Sequence, residues 1–130
     1  MTAVLTARDT LLRNAIRVDA VVIAALGVAM VAAAQRLATL TGMPVGVEYA
    51  IGVLSIAYGP LGFWLAARPR VRTAGLVIAE INLLSAVGLG ALVATGVAPL
   101  SSAAGELALA LAAYTAVIGA VQYAGVRRIS

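Results

Sequence analysis

Residues 73–94 read TAGLVIAEINLLSAVGLGALVA, an apolar run broken by a single charge, Glu80. A helix that crosses a bilayer needs about 20 apolar residues, and this run supplies them. It is too long for a strand, and an open sheet cannot satisfy its backbone in hydrocarbon. Its alanine and leucine content suits helix. Working outward, three more runs have the same character, at 18–34, 49–67 and 106–126. The reading is one membrane domain over 1–130, all-α, a four-helix transmembrane bundle.

Composition carries the same message. Hydrophobic residues make up 63% of the chain and charged residues 11%, against about 25% charged in an ordinary soluble domain. A soluble enzyme of this size lacks the polar residues to cover its core, and a disordered tail requires low hydrophobicity. There is no cysteine and no histidine, which removes thiolate catalysis, iron–sulfur clusters and the commonest zinc and haem ligands. No cofactor and no metal site is expected.

The net charge is +4 and every basic residue is arginine. In a soluble protein that balance would suggest nucleic acid; here the arginines flank apolar runs, so the expected partner is the lipid bilayer and not nucleic acid. Arg8, Arg13 and Arg17 precede the first span, Arg68, Arg70 and Arg72 join the second to the third, and Arg127 and Arg128 follow the fourth. Only Arg36 falls on the other side. By the positive-inside rule both termini are cytoplasmic in the inner membrane. The basic start and Ala32-Ala33-Ala34 before Gln35 have the form of a signal peptide, but three further spans follow, and the segment is read as a retained helix. Residues 2–14 set Leu5, Leu11 and Leu12 among arginines, either a short interfacial helix or a frayed end.

The connections hold turn residues: Gly42, Pro44 and Gly46 after the first span, Pro69 after the second, and Gly96 and Pro99 after the third. Ser101 or Ser102 is an expected N-cap of the last helix. Pro60 inside the second span frees the carbonyl of Ile56, and a kink is expected there.

Polar residues inside spans are costly and mark function by default. Glu80 lies roughly 10 Å into its helix at 1.5 Å per residue. Asp19, Trp64 and Gln122 are read as lying toward the cytoplasmic half, and Tyr58 and Tyr114 near the midplane. The candidate cluster is Arg17, Asp19, Glu80, Asn82 and Gln122, with Arg17 as the cation that stabilises Glu80. Trp64, Tyr58 and Tyr114 are candidates to line a cytoplasm-facing cavity. Each residue also has a structural role open to it, in ion pairs, interhelical hydrogen bonds or an aromatic belt. Asn82 stands about 200° around the helix from Glu80, so the two face different directions.

Arg17-Val-Asp19, Gly42-Met-Pro44, Asn82-Leu83-Leu84 and Gln122 before Arg127-Arg128 together resemble a group of small four-span integral membrane proteins common in actinobacteria. In size and span count the chain is also similar to DoxX-like membrane proteins. The resemblance implies the four-helix fold and no particular activity. Small multidrug exporters carry an essential Glu within the first span, where this chain has none. Two functional expectations follow from the residues. One is a non-enzymatic accessory or scaffold subunit that packs with itself or with a membrane protein partner, since small residues occur in every span. The other is a small transporter or ligand-binding protein that uses Glu80.

Overall fold

The computed structural model describes residues 2–96 and 100–129, with side chains from residue 8 onward. It is all-helical among these residues: α1 (Thr2–Ala32), α2 (Ala34–Thr41), α3 (Val45–Ala66), α4 (Arg72–Thr95) and α5 (Ser102–Arg127). The segments Arg8–Ala32, Val45–Ala66, Arg72–Thr95 and Ser102–Arg127 are long and apolar enough to cross a membrane.

Two boundaries differ from the sequence reading. First, α1 is continuous from Thr2, with no separate interfacial helix over 2–14. Its arginines do not end it, because an arginine stem lies along apolar surface while its head reaches polar groups. Arg13 does this: its guanidinium donates to the carbonyls of Ala66, of Arg68 at 2.8 Å and of Pro69 at 3.3 Å, and to Asp9 Oδ2 at 2.8 Å. The unpaired carbonyls at the end of α3 thereby gain a cationic partner. Second, the connection after the first span contains α2. It begins after a break at Ala33 and ends at Gly42, whose φ of 74° is the left-handed conformation that terminates helices. The expected third connection, Thr95 to Ser102, includes residues 97–99, which lie outside the described residues.

Ser101 is the N-cap of α5, accepting from the Ala104 amide at 3.2 Å. Its hydroxyl also donates to the Leu40 carbonyl at 2.7 Å, tying α5 to the end of α2. Beside this tie, buried Glu48 in the first turn of α3 accepts from the Thr41 hydroxyl at 2.7 Å. An acid there suits the positive end of the helix dipole. Pro60 lies inside α3 and leaves it a single helix.

Packing sets the helix order. α1 runs along α3, α5 runs along α4, and α1 and α5 join the two pairs. Across the bundle the order is α3, α1, α5, α4, and the contact of α3 with α4 is marginal although only a short link separates them in sequence. The α1–α3 approach depends on Gly27: a Cβ there would stand 2.6 Å from the Gly52 carbonyl oxygen and 2.8 Å from the Ile56 nitrogen. At the arginine-rich end Leu12, Ile16, Ala66, Val71, Ile78 and Val126 form a buried apolar core.

Candidate functional site

The four long helices meet at one carboxylate, that of Asp19. Because α1 begins well before Val18, Asp19 lies in the interior of its helix and not near its start. It is 2% exposed. Its Oδ1 accepts from the Tyr114 hydroxyl of α5 at 2.9 Å. Its Oδ2 accepts from the Tyr58 hydroxyl of α3 at 3.0 Å, from Asn82 Nδ2 of α4 at 3.2 Å and from Gln122 Nε2 of α5 at 3.3 Å. Asn82 Nδ2 also donates to Gln122 Oε1 at 2.8 Å, which orients both amides. An ionised carboxyl is an acceptor only, with about four lone-pair sites, and four neutral donors surround this one.

The helical geometry explains who is in this set and who is not. Arg17 precedes Asp19 by two residues, about 200° around α1, and its guanidinium donates instead to Asn14 Oδ1 at 3.2 Å. Glu80 precedes Asn82 by the same two residues on α4 and is exposed on the outer face. The expected cluster is therefore corrected: Asp19, Asn82 and Gln122 come together, while Arg17 and Glu80 turn away from them. The proposed Arg17–Glu80 pair does not form. Among the described residues the ion pair is Asp9–Arg13, at the arginine-rich end of α1, and no group of three acids could hold a metal ion.

Beside Asp19 lies a cavity of about 480 Å³, bounded by Ile23, Tyr58, Asn82, Ser85, Leu89 and Leu111 among others. It fills the space where α3 and α4 stand apart, and it runs from Asp19 toward Leu89 and Leu111. That direction is away from the arginine-rich end, and Trp64 is not among the residues that line it. The apolar core around Leu12 and Ile16 occupies that end instead. Trp64 is 57% exposed and lies under the Arg68 guanidinium, 4.6 Å from its ring centroid, a cation–π pair at the helix end. Tyr58 lines the cavity; Tyr114 reaches Asp19 from α5.

Ser85, three residues after Asn82 and on its side of α4 as the spacing predicts, also lines the cavity, as does Thr115, a small hydroxyl residue that carries no signal in an alanine-rich span. Thr115 donates to the Ala112 carbonyl of its own helix at 3.1 Å. Arg13 reads in the sequence as a topology signal and as a candidate partner of Asp19 or Glu80; it pairs with Asp9 instead, at the four-residue spacing of an intrahelical ion pair. The site is read from its own residues, because the chain matches no family model, no curated protein and no solved structure.

Proposed function

We propose that the chain is a small multi-pass protein of the inner membrane, arginine-rich end in the cytoplasm, that binds a compact apolar molecule carrying one positive charge. The observation that supports this reading is an acid without a basic partner, Asp19, at one end of a largely apolar, partly open cleft between the helices. A carboxylate in hydrocarbon is costly unless a cation or several donors stabilise it. A cavity of about 480 Å³ falls in the range of small-molecule sites. A protonated amine with an aryl or short alkyl body would occupy the apolar walls and direct its N–H groups to Asp19. Tyr58 and Tyr114 suit this exchange, since a phenol hydroxyl can donate to Asp19 in one state and accept from the ligand in the other. Glu80, on the opposite face of α4 from the cavity, has no part in it.

The experiment is a paired titration in lipid nanodiscs with phenylbutylamine and phenylbutanol, which differ in charge and hardly in shape. The amine should bind at least about tenfold tighter, worth ~1.4 kcal/mol, and Asp19→Asn should bring the two to equal affinity. Equal binding of both by the native protein would end the proposal. A second reading is favoured by the completeness of the Asp19 hydrogen bonds: the carboxylate is a joint between helices and nothing more. It is supported if neither compound binds and Asp19→Asn only lowers thermal stability.

A further inference from the structure

The outer face of α4 carries a second device, independent of the Asp19 cavity. Thr73, Val77, Glu80, Leu84, Val87 and Ala91 follow one another at steps of four, three, four, three and four residues, the spacing of a coiled-coil seam. All six are exposed. Val77 is 49%, Leu84 71% and Val87 70% exposed, among the most open large side chains of the protein. The cavity-lining residues Ile78, Asn82, Ser85 and Leu89 belong to the opposite side of the same helix.

Within this stripe Glu80 is the anomaly. Of the five acids, Asp9, Asp19 and Glu48 are buried within the chain and Glu106 stands near the start of α5. Glu80 alone is both exposed and about 12 Å from the end of its helix, eight residues beyond Arg72 at 1.5 Å each. A carboxyl group facing lipid at that depth lacks any hydrogen-bond partner, so the face requires a covering surface that offers one at the same level.

We propose that the covering surface is the α4 stripe of a second copy, in a parallel two-fold dimer. A two-fold axis along the membrane normal brings each residue of the stripe to the depth of its own equivalent. Glu80 then lies at the depth of Glu80 of the second copy, which is the polar side chain the facing stripe offers at that level. Every other member of the stripe is apolar or small and needs only an equal to pack on. The stripe is thus self-complementary in depth, in polarity and in spacing, and the four–three spacing suits a left-handed crossing near +20°.

The chain has no cysteine, which allows a clean scan. Single cysteines at Val77, Ile81, Leu84 and Val87 are oxidised in native membranes with copper phenanthroline. Dimer bands should be strong at Val77, Leu84 and Val87 and at least fivefold weaker at Ile81, which is exposed but off the stripe. In the Leu84→Cys background, Glu80→Gln should keep the dimer within about threefold, since two amides can pair. Glu80→Arg should reduce it tenfold or more by like-charge repulsion. Equal cross-linking at all four positions, a dimer unchanged by Glu80→Arg, or a Leu84 adduct with a different polypeptide and no homodimer would each overturn the proposal. The cysteine scan keeps Glu80 native, so it decides the matter even if Glu80→Arg fails to insert.

Discussion

Asp19 receives two phenol hydroxyls and two primary amides, and these donors should differ in what their loss does. Tyr58→Phe and Tyr114→Phe each remove one hydrogen bond to the carboxylate and keep the ring, and each should lower unfolding free energy by about 0.6–2 kcal/mol, from the average of double-mutant cycles to the model-peptide value for interhelical bonds in bilayers. Tyr123→Phe, at an exposed position, should stay within ~0.5 kcal/mol. Reversible denaturation in mixed micelles measures all three; a Tyr58→Phe variant as stable as Tyr123→Phe would contradict the hydrogen-bonded carboxylate. The polar residues of this site are visible in the sequence, and of the five candidates Asp19, Asn82 and Gln122 are hydrogen-bonded to one another. The centre is not visible there. Depth counted from the ends of apolar runs favours Glu80 and sets Asp19 at a margin. Once α1 extends to Thr2, Asp19 gains depth, and the two-residue offsets of Arg17 and Glu80 turn those two charges outward. The angular argument was available for Glu80 and Asn82; depth in the membrane was not, because an arginine side chain does not mark where a helix ends.

Among the helices, the α1–α3 pair is the closest-fitted. Gly27→Ala would drive a methyl against the Gly52 carbonyl, a backbone atom that cannot swing aside. It should cost about 1–3 kcal/mol through overpacking. Gly105→Ala in α5, where a Cβ meets nothing within 4 Å, should have the opposite sign and stabilise by up to ~1 kcal/mol through helix propensity. Thermal unfolding of the two variants side by side tests the contrast, and a Gly27→Ala variant as stable as Gly105→Ala would refute the tight approach. The existence of four long helices was legible from run length alone. The helix Ala34–Thr41 was not, since Gln35 and Arg36 close the apolar run and nothing after them marks a separate short helix. Its stop signal, Gly42, was read correctly as a turn residue. What the sequence lacked was any mark that an eight-residue polar segment would be tied at its far end by Ser101, a residue 61 positions away from Leu40.

Across the whole molecule, the ends of α1, α3, α4 and α5 that carry arginine lie together: Arg13 reaches the end of α3, and Arg72 donates to the Ile129 carbonyl at 3.2 Å. Arg36 stands at the other end. With the arginine-rich end cytoplasmic, cysteines at Gly46 and Ser102 should react with an impermeant maleimide from outside intact cells, and one at Arg70 should not. The reverse pattern would invert the orientation. The order α3, α1, α5, α4 was beyond the sequence, because apolar periodicity says which residues avoid water and is silent on which helix lies beside which. That order has a consequence in time. The chain is made from its N-terminus, so α1 and α3 enter the bilayer first, and Asp19 then has Tyr58 as its one partner from the finished site. Asn82 and Gln122 are 63 and 103 residues behind Asp19, on the order of ten seconds of synthesis at ~5–20 residues per second. Until Asn82 arrives the carboxyl group has one of its four donors, and the arrival of α4 and α5 completes the set. A chain that stops before α5 keeps Asp19 without Tyr114 and Gln122, so the last helix made supplies two of the four donors.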